Sequence, residues 1–156
     1  MKDSMKKKLK LKVSAIKDGT VIDHIPAENL FKVITILGLD KFNNMITFGN
    51  NLDSAKLGSK AIIKVADKFF EDDEINKIAL IAPNANLNII RDYEVAEKKV
   101  VKIPEEIKGI VKCFNPKCIT NNEKITTRFK VVDHTPIALK CRYCEKLTLQ
   151  DEIKMQ

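Results

Sequence analysis

Four cysteines in two close pairs carry the clearest chemistry in this chain. Cys113 and Cys118 enclose four residues, Cys141 and Cys144 enclose two, and residues 119–140, 22 in all, separate the pairs. Zinc prefers soft thiolate ligands, and four of them complete its tetrahedral shell. Each pair can supply two ligands from one tight turn, and the long gap lets a hairpin bring the turns together. Asn115 and Pro116 favour the first turn, while Ile125, Thr127, Phe129 and Val131 alternate as an intervening strand should. A closed shell of protein thiolates leaves no position for water or substrate, so the ion's role is structural. Iron in the same shell and a redox disulfide at Cys141-x2-Cys144 are the alternatives. His134 lies in the gap but is not needed as a ligand.

The elements that must position these groups follow from hydrophobic period. Leu9, Leu11, Val13 and Ala15 alternate with Lys10, Lys12 and Ser14 as in a half-buried strand. Asp18-Gly19 marks a turn, and Thr20 to Ile22 reads as a second short extended piece. Pro26 suits the first turn of a helix and Gly38 its end. Between them Leu30, Phe31, Val33, Ile34 and Leu37 form one apolar face. Met45 to Phe48 and Lys60 to Val65 read as strands, and Asp72 or Asp73 as the cap of a short helix through Ile78. Ala79 to Ile81, Leu87 to Ile90 and Glu94 to Ile103 are further extended stretches. This order predicts an α+β domain, an antiparallel sheet with two helices on one face in the ferredoxin-like arrangement. Pro104 marks a junction, dividing the chain into residues 1–104 and 105–156. The second part is too short for a large core, and a small all-β zinc ribbon held by its metal is expected there.

Charge narrows the function classes. The chain carries a formal +7, but residues 1–12 hold six lysines and one aspartate, leaving +2 for the other 144 residues. Residues 105–156 contain ten Lys/Arg and seven Asp/Glu, and a zinc-bound set of four thiolates would reduce that excess further. Phe114, Phe129 and Tyr143 are the aromatics of that part, so neither a basic stripe nor a stacking platform for nucleic acid stands out. No apolar run is long enough to span a bilayer, and the basic N-terminus lacks a secretory apolar stretch, so a cytoplasmic protein is expected.

Three segments carry a family resemblance. Residues 17–27 (KDGTVIDHIPA), Ile81-Ala-Pro-Asn84 with residues 88–95 (NIIRDYEV), and residues 138–146 (ALKCRYCEK) resemble the regulatory chains of aspartate carbamoyltransferase. The resemblance runs in order from near residue 11 to near residue 147 and includes the cysteine pattern. It implies a non-catalytic regulatory subunit of pyrimidine biosynthesis, with a nucleotide-binding N-terminal domain and a zinc domain that docks catalytic chains. It also implies self-association as a regulatory dimer, and competition of ATP with CTP for one effector pocket, with UTP assisting CTP in some members. The matching pocket positions are Val13, Ser14, Ala15, Ile16, Asp23, His24, Lys60, Lys64, Asn88, Ile90, Tyr93, Val95 and Lys98. Val13 to Ile16 would present backbone groups to a base edge, with Ile16 against the base's face. Asp23 would accept from ribose hydroxyls, and Lys60, Lys64, Lys98 and His24 would neutralise phosphates. Asn88, Ile90, Tyr93 and Val95 would form the wall. Ser14 stands where well-known members carry a carboxylate, which bears on base discrimination. Asn115, Glu145 and Lys146 match the docking part of the family. The competing classes are a zinc-ribbon nucleic-acid binder, against which the near-neutral body argues, and an independent enzyme, for which Asp23-His24 is the one candidate pair.

Overall fold

The computed structural model describes residues 16–156, so the strand expected over Leu9 to Ala15 lies outside the described residues. The chain divides into two compact units with the boundary between Lys102 and Ile103.

Among the described residues the first unit holds a five-stranded antiparallel sheet of β1 (Gly19–Pro26), β2 (Ile46–Ser54), β3 (Gly58–Ala66), β4 (Asn86–Arg91) and β5 (Glu94–Val100), in the order β2-β3-β1-β4-β5. Helix α1 (Leu30–Ile36) connects β1 to β2, and α2 (Asp72–Asn76), followed by a 3-10 turn over Lys77–Leu80, connects β3 to β4. In each crossover a third strand lies between the two joined, which is the split arrangement expected from the element order. Strand alternation then separates two faces. Ile22, Ile25, Ala61, Ile63, Val65, Leu87 and Ile89 point into the core with Leu30 and Val33 of α1 and Ile75 of α2. Both helical segments cover this face. Lys99, opposite Leu87 in the register, pairs with Asp72 of α2 at 3.2 Å, and Asn29 Nδ2 donates to the Ile81 carbonyl at 2.8 Å.

Gly19 opens β1 at φ 145°, a conformation that L side chains rarely adopt, and a Cβ there would collide with the Val65 carbonyl. Gly38, in the left-handed region at φ 65°, follows α1 and accounts for its end.

Several elements differ from the sequence expectation. The strand over Thr20 to Ile22 continues to Pro26 across a bulge between Ile22 and Ile25. Ala79 and Leu80 belong to a 3-10 turn rather than a strand, because their buried side chains meet the core as a continuation of α2. The residue before α2 is Glu71, whose backbone N–H donates to the Glu74 carboxylate at 3.2 Å, instead of Asp72 or Asp73. Phe31 is 64% exposed and leaves the buried face of α1 to meet Phe48 edge-on at 6.1 Å between ring centroids. β5 ends at Val100, short of Ile103.

The second unit contains a four-stranded antiparallel sheet in the order β10-β9-β8-β6. Its strands are β6 (Glu106–Lys108), β8 (Arg128–His134), β9 (Ile137–Cys141) and β10 (Leu147–Leu149). A two-stranded ladder joins β7 (Val111–Lys112) to β11 (Lys154–Met155). Ile107, Val111, Phe129, Val131, Ile137 and Leu139 form its small core. Ile125 and Thr127 precede β8 instead of belonging to it. The buried Thr127 hydroxyl, just ahead of β8, donates to the Val111 carbonyl of β7 at 2.7 Å. A single helical turn, α3 (Ile119–Asn122), interrupts the expected all-β pattern. No helix among the described residues is long and apolar enough to cross a membrane.

Two substitutions test this core. Ile22→Ala should destabilise the first unit by about 2–5 kcal/mol, and Gly19→Ala by at least about 1 kcal/mol, both read from urea unfolding. An Ile22→Ala midpoint equal to that of the unaltered chain would contradict its central place in the sheet.

Candidate functional site

The four cysteine side chains converge. Their sulfurs all lie within 4.8 Å of one another, with Cys113–Cys144 at 3.6 Å and Cys118–Cys141 at 3.7 Å. A tetrahedral ion with metal–sulfur bonds of about 2.3 Å requires sulfurs about 3.8 Å apart, whereas a disulfide requires about 2.05 Å. The donor set and its spacing therefore fit a single thiolate-bound ion. Local hydrogen bonds build each ligand turn. Cys118 N–H donates to the Asn115 carbonyl at 3.0 Å, and Lys117 N–H to Asn115 Oδ1 at 3.1 Å. In the second turn Glu145 N–H donates to the Cys141 carbonyl at 3.0 Å, with Glu145 itself at φ 60°.

The electrostatics of the cluster call for a cation. Burial pushes the Cys113 and Cys141 thiols up, opposing thiolate formation. Burial acts upward on Cys144 too, but the backbone N–H of Lys146 and hydrogen bonding with Asn115, Cys113 and Cys141 outweigh it and leave that thiol at about 7. Four neighbouring thiolates would repel one another strongly, and a divalent ion offsets that repulsion while taking the place of their protons. Sequence reasoning missed the residues that support this shell. Asn121 Nδ2 donates to the Cys113 carbonyl at 2.9 Å and to the Asn115 carbonyl at 2.7 Å, and the Thr120 hydroxyl donates to Cys118 Sγ at 3.2 Å. Both follow the first ligand pair directly, and the helical turn α3 carries their side chains back to it.

A second constellation lies on the face of the first sheet opposite the helices. Cross-strand register places Lys64 of β3, Val21 of β1, Asn88 of β4 and Lys98 of β5 in one row. Two residues further along β1, Asp23 faces Asn86, which in turn faces Val100. The bulge in β1 turns His24 to φ 60°, at a cost of roughly 1–2 kcal/mol for a residue with a Cβ. Its backbone N–H donates to Asp23 Oδ1 at 2.7 Å, which helps to hold that conformation. Lys60 Nζ lies 3.0 Å from Asp23 Oδ1 and 3.2 Å from Oδ2. Asp23 was expected to serve a ligand hydroxyl; here its carboxylate already accepts from Lys60 and from the chain, so a ligand would share it.

Asp23, His24, Lys60, Lys64, Asn88 and Lys98 are thus gathered on three adjacent strands and β5. Ile90 and Val95 pair one step along the same sheet, and Ile90 and Ile16 are buried. Tyr93 sits at the tip of the β4–β5 hairpin, 62% exposed at φ 66°, with its N–H donating to the Lys17 carbonyl at 2.9 Å. Val13, Ser14 and Ala15 lie outside the described residues. Asn86 was not foreseen, although its place two residues from Asn88 on one strand puts both on the same face.

Comparison with known proteins returns two adjoining family models. The aspartate carbamoyltransferase regulatory chain, allosteric domain, matches residues 11–102, and the metal binding domain of the same chain matches residues 105–154. An aspartate carbamoyltransferase regulatory chain from Parabacteroides distasonis is 59% identical over 150 residues, 96% of this chain and 97% of that protein. One from Phocaeicola vulgatus is 59% identical over 145 residues, 93% of this chain and 94% of that one. One from Pyrococcus horikoshii is 54% identical over 145 residues, 92% and 95% respectively.

Elemental analysis should find one metal ion per chain. Acidification should release it as the thiolates take up protons, and a strong chelator should unfold residues 103–156 while the first unit keeps its amide-exchange protection. A second unit that stays folded after complete metal loss would contradict a structural ion.

Proposed function

Because this chain belongs to the family of aspartate carbamoyltransferase regulatory chains, we propose that residues 1–104 bind ATP and CTP in competition and that residues 105–156 form a zinc domain that docks the catalytic chain. The family is that of a non-catalytic subunit, and a regulatory chain associates with the catalytic subunit it controls. Its effectors would adjust the flow of aspartate into pyrimidine biosynthesis.

The observation that carries the effector reading is the register of the first sheet, which aligns Lys64, Asn88 and Lys98 beside the Asp23–Lys60 pair. Lysines on two strands with His24 between them suit a chain of phosphates. Asp23 would share its carboxylate with ribose hydroxyls. Val13, Ser14, Ala15 and Ile16 would meet the base, with Ile90, Tyr93, Val95 and Asn88 as the wall. No glycine-rich phosphate loop accompanies these groups, in keeping with binding rather than hydrolysis. β5 carries Lys98 and ends at Val100, two residues before the boundary after Lys102, so only a short stretch of chain separates that strand from the start of the second unit. Coupling of this kind is typically worth about 1–3 kcal/mol.

The ligands of the zinc ion would be Cys113, Cys118, Cys141 and Cys144, whose sulfur spacings match zinc–thiolate geometry. Glu145 and Lys146 are exposed and Asn115 half-buried on the turns that hold these ligands; they would contact the catalytic chain. Self-association as a regulatory dimer would use the side of the first unit where Phe31, Met45, Phe48 and Leu52 are exposed around β2, a strand paired on one edge alone among the described residues.

Calorimetry should find CTP and ATP displacing one another. Lys60→Ala or Lys98→Ala should weaken both by roughly 10- to 150-fold, the loss of a charge-assisted contact of about 1.5–3 kcal/mol. Mixed with its catalytic subunit, the zinc-loaded chain should form a larger complex whose substrate response shifts with nucleotide. Cys141→Ser should leave the catalytic subunit free, active and unresponsive; a Cys141→Ser chain that assembles and regulates normally would refute the docking role.

A further inference from the structure

His24 has two ring nitrogens, and which of them carries the proton decides what the ring offers to an anion. Nδ1 lies 3.3 Å from Asn86 Nδ2. An amide nitrogen only donates, so this contact is a hydrogen bond only when Nδ1 accepts, which requires the proton of the neutral ring to be on Nε2. The Asp23 carboxylate is a competing group, but its Oδ2 is 3.7 Å from Nδ1, beyond hydrogen-bond reach. That carboxylate is occupied by Lys60 at 3.0 and 3.2 Å and by the His24 N–H at 2.7 Å. Asn86 holds its place through the β1–β4 register, directly opposite Asp23, and its β5 neighbour Val100 offers no rival side-chain partner.

We propose that Asn86 is a positioning residue that fixes the tautomer of His24, so that the ring presents Nε2–H to a phosphate oxygen of a bound nucleoside triphosphate. The proposal rests on the effector-site reading above and adds to it a residue that acts through His24. Without Asn86 the Asp23 carboxylate 3.7 Å from Nδ1 has no amide donor competing with it, and because a carboxylate accepts it favours the proton on Nδ1. The lone pair of Nε2 would then face the phosphates and repel them.

Nitrogen-15 NMR of the histidine rings in the full chain, at mildly alkaline pH, reads the tautomer directly. The chain has two histidines, His24 and His134, so a His134→Gln variant assigns the signals. The unaltered chain should show His24 protonated at Nε2, and Asn86→Ala should move much of the population to Nδ1–H. CTP affinity should fall roughly 3- to 10-fold in Asn86→Ala, the worth of one neutral hydrogen bond, but should not fall further when Asn86→Ala is added to His24→Ala. Amide-exchange protection of β4 reports whether each variant remains folded. An Nδ1–H tautomer in the unaltered chain, a tautomer unmoved by Asn86→Ala, or an equal loss of affinity in the His24→Ala background would each overturn the proposal. If the unaltered chain binds neither CTP nor ATP, the effector-site reading fails, and with it the presentation of Nε2–H to a phosphate; the tautomer then decides only whether Asn86 orients the ring.

Discussion

The pairing of β1 with β3 on one side and β4 on the other is the interaction on which the first unit depends. β1 occupies the middle of the sheet, so its backbone groups are satisfied from both edges and its alternation sets the facing of every neighbour. A slip of one residue would turn Ile22 outward and Asp23 into the core. The apolar set beneath the helices therefore enforces the polar set on the opposite face. Burial of Ile22, Ile63 and Leu87 is, in this sense, what aligns Lys64, Asn88 and Lys98.

The bulge in β1 is a local exception with a chemical consequence. It places His24 in a conformation that costs energy and that Asp23 partly repays through the backbone bond. The same carboxylate draws in Lys60 from β3, so a cation, an anion and an imidazole meet at the irregular part of β1. Regular alternation would have separated Asp23 and His24 onto opposite faces.

The second unit solves a different problem. Its apolar core is small, and buried sulfurs stand where a larger domain would place aliphatic side chains. Turns built by Asn115 and Glu145 set the two ligands within each cysteine pair. Asn121 and Thr120 restrain the first turn from α3.

Much of this was legible in residue order. The cysteine spacing pointed to a four-thiolate site because the ligand types and the two turns are local features. Alternation and helical period revealed β3, β4 and α1 because burial of one face imposes that period on the chain. The Asp23–Lys60 pair, the Asn86–His24 contact and the row through Lys64, Asn88 and Lys98 were decided by the tertiary structure. Their members are separated by tens of residues, and only strand register determines which of them meet. Phe31 follows the same rule: helical period places it with the apolar face of α1, but in the tertiary structure it is exposed and meets Phe48.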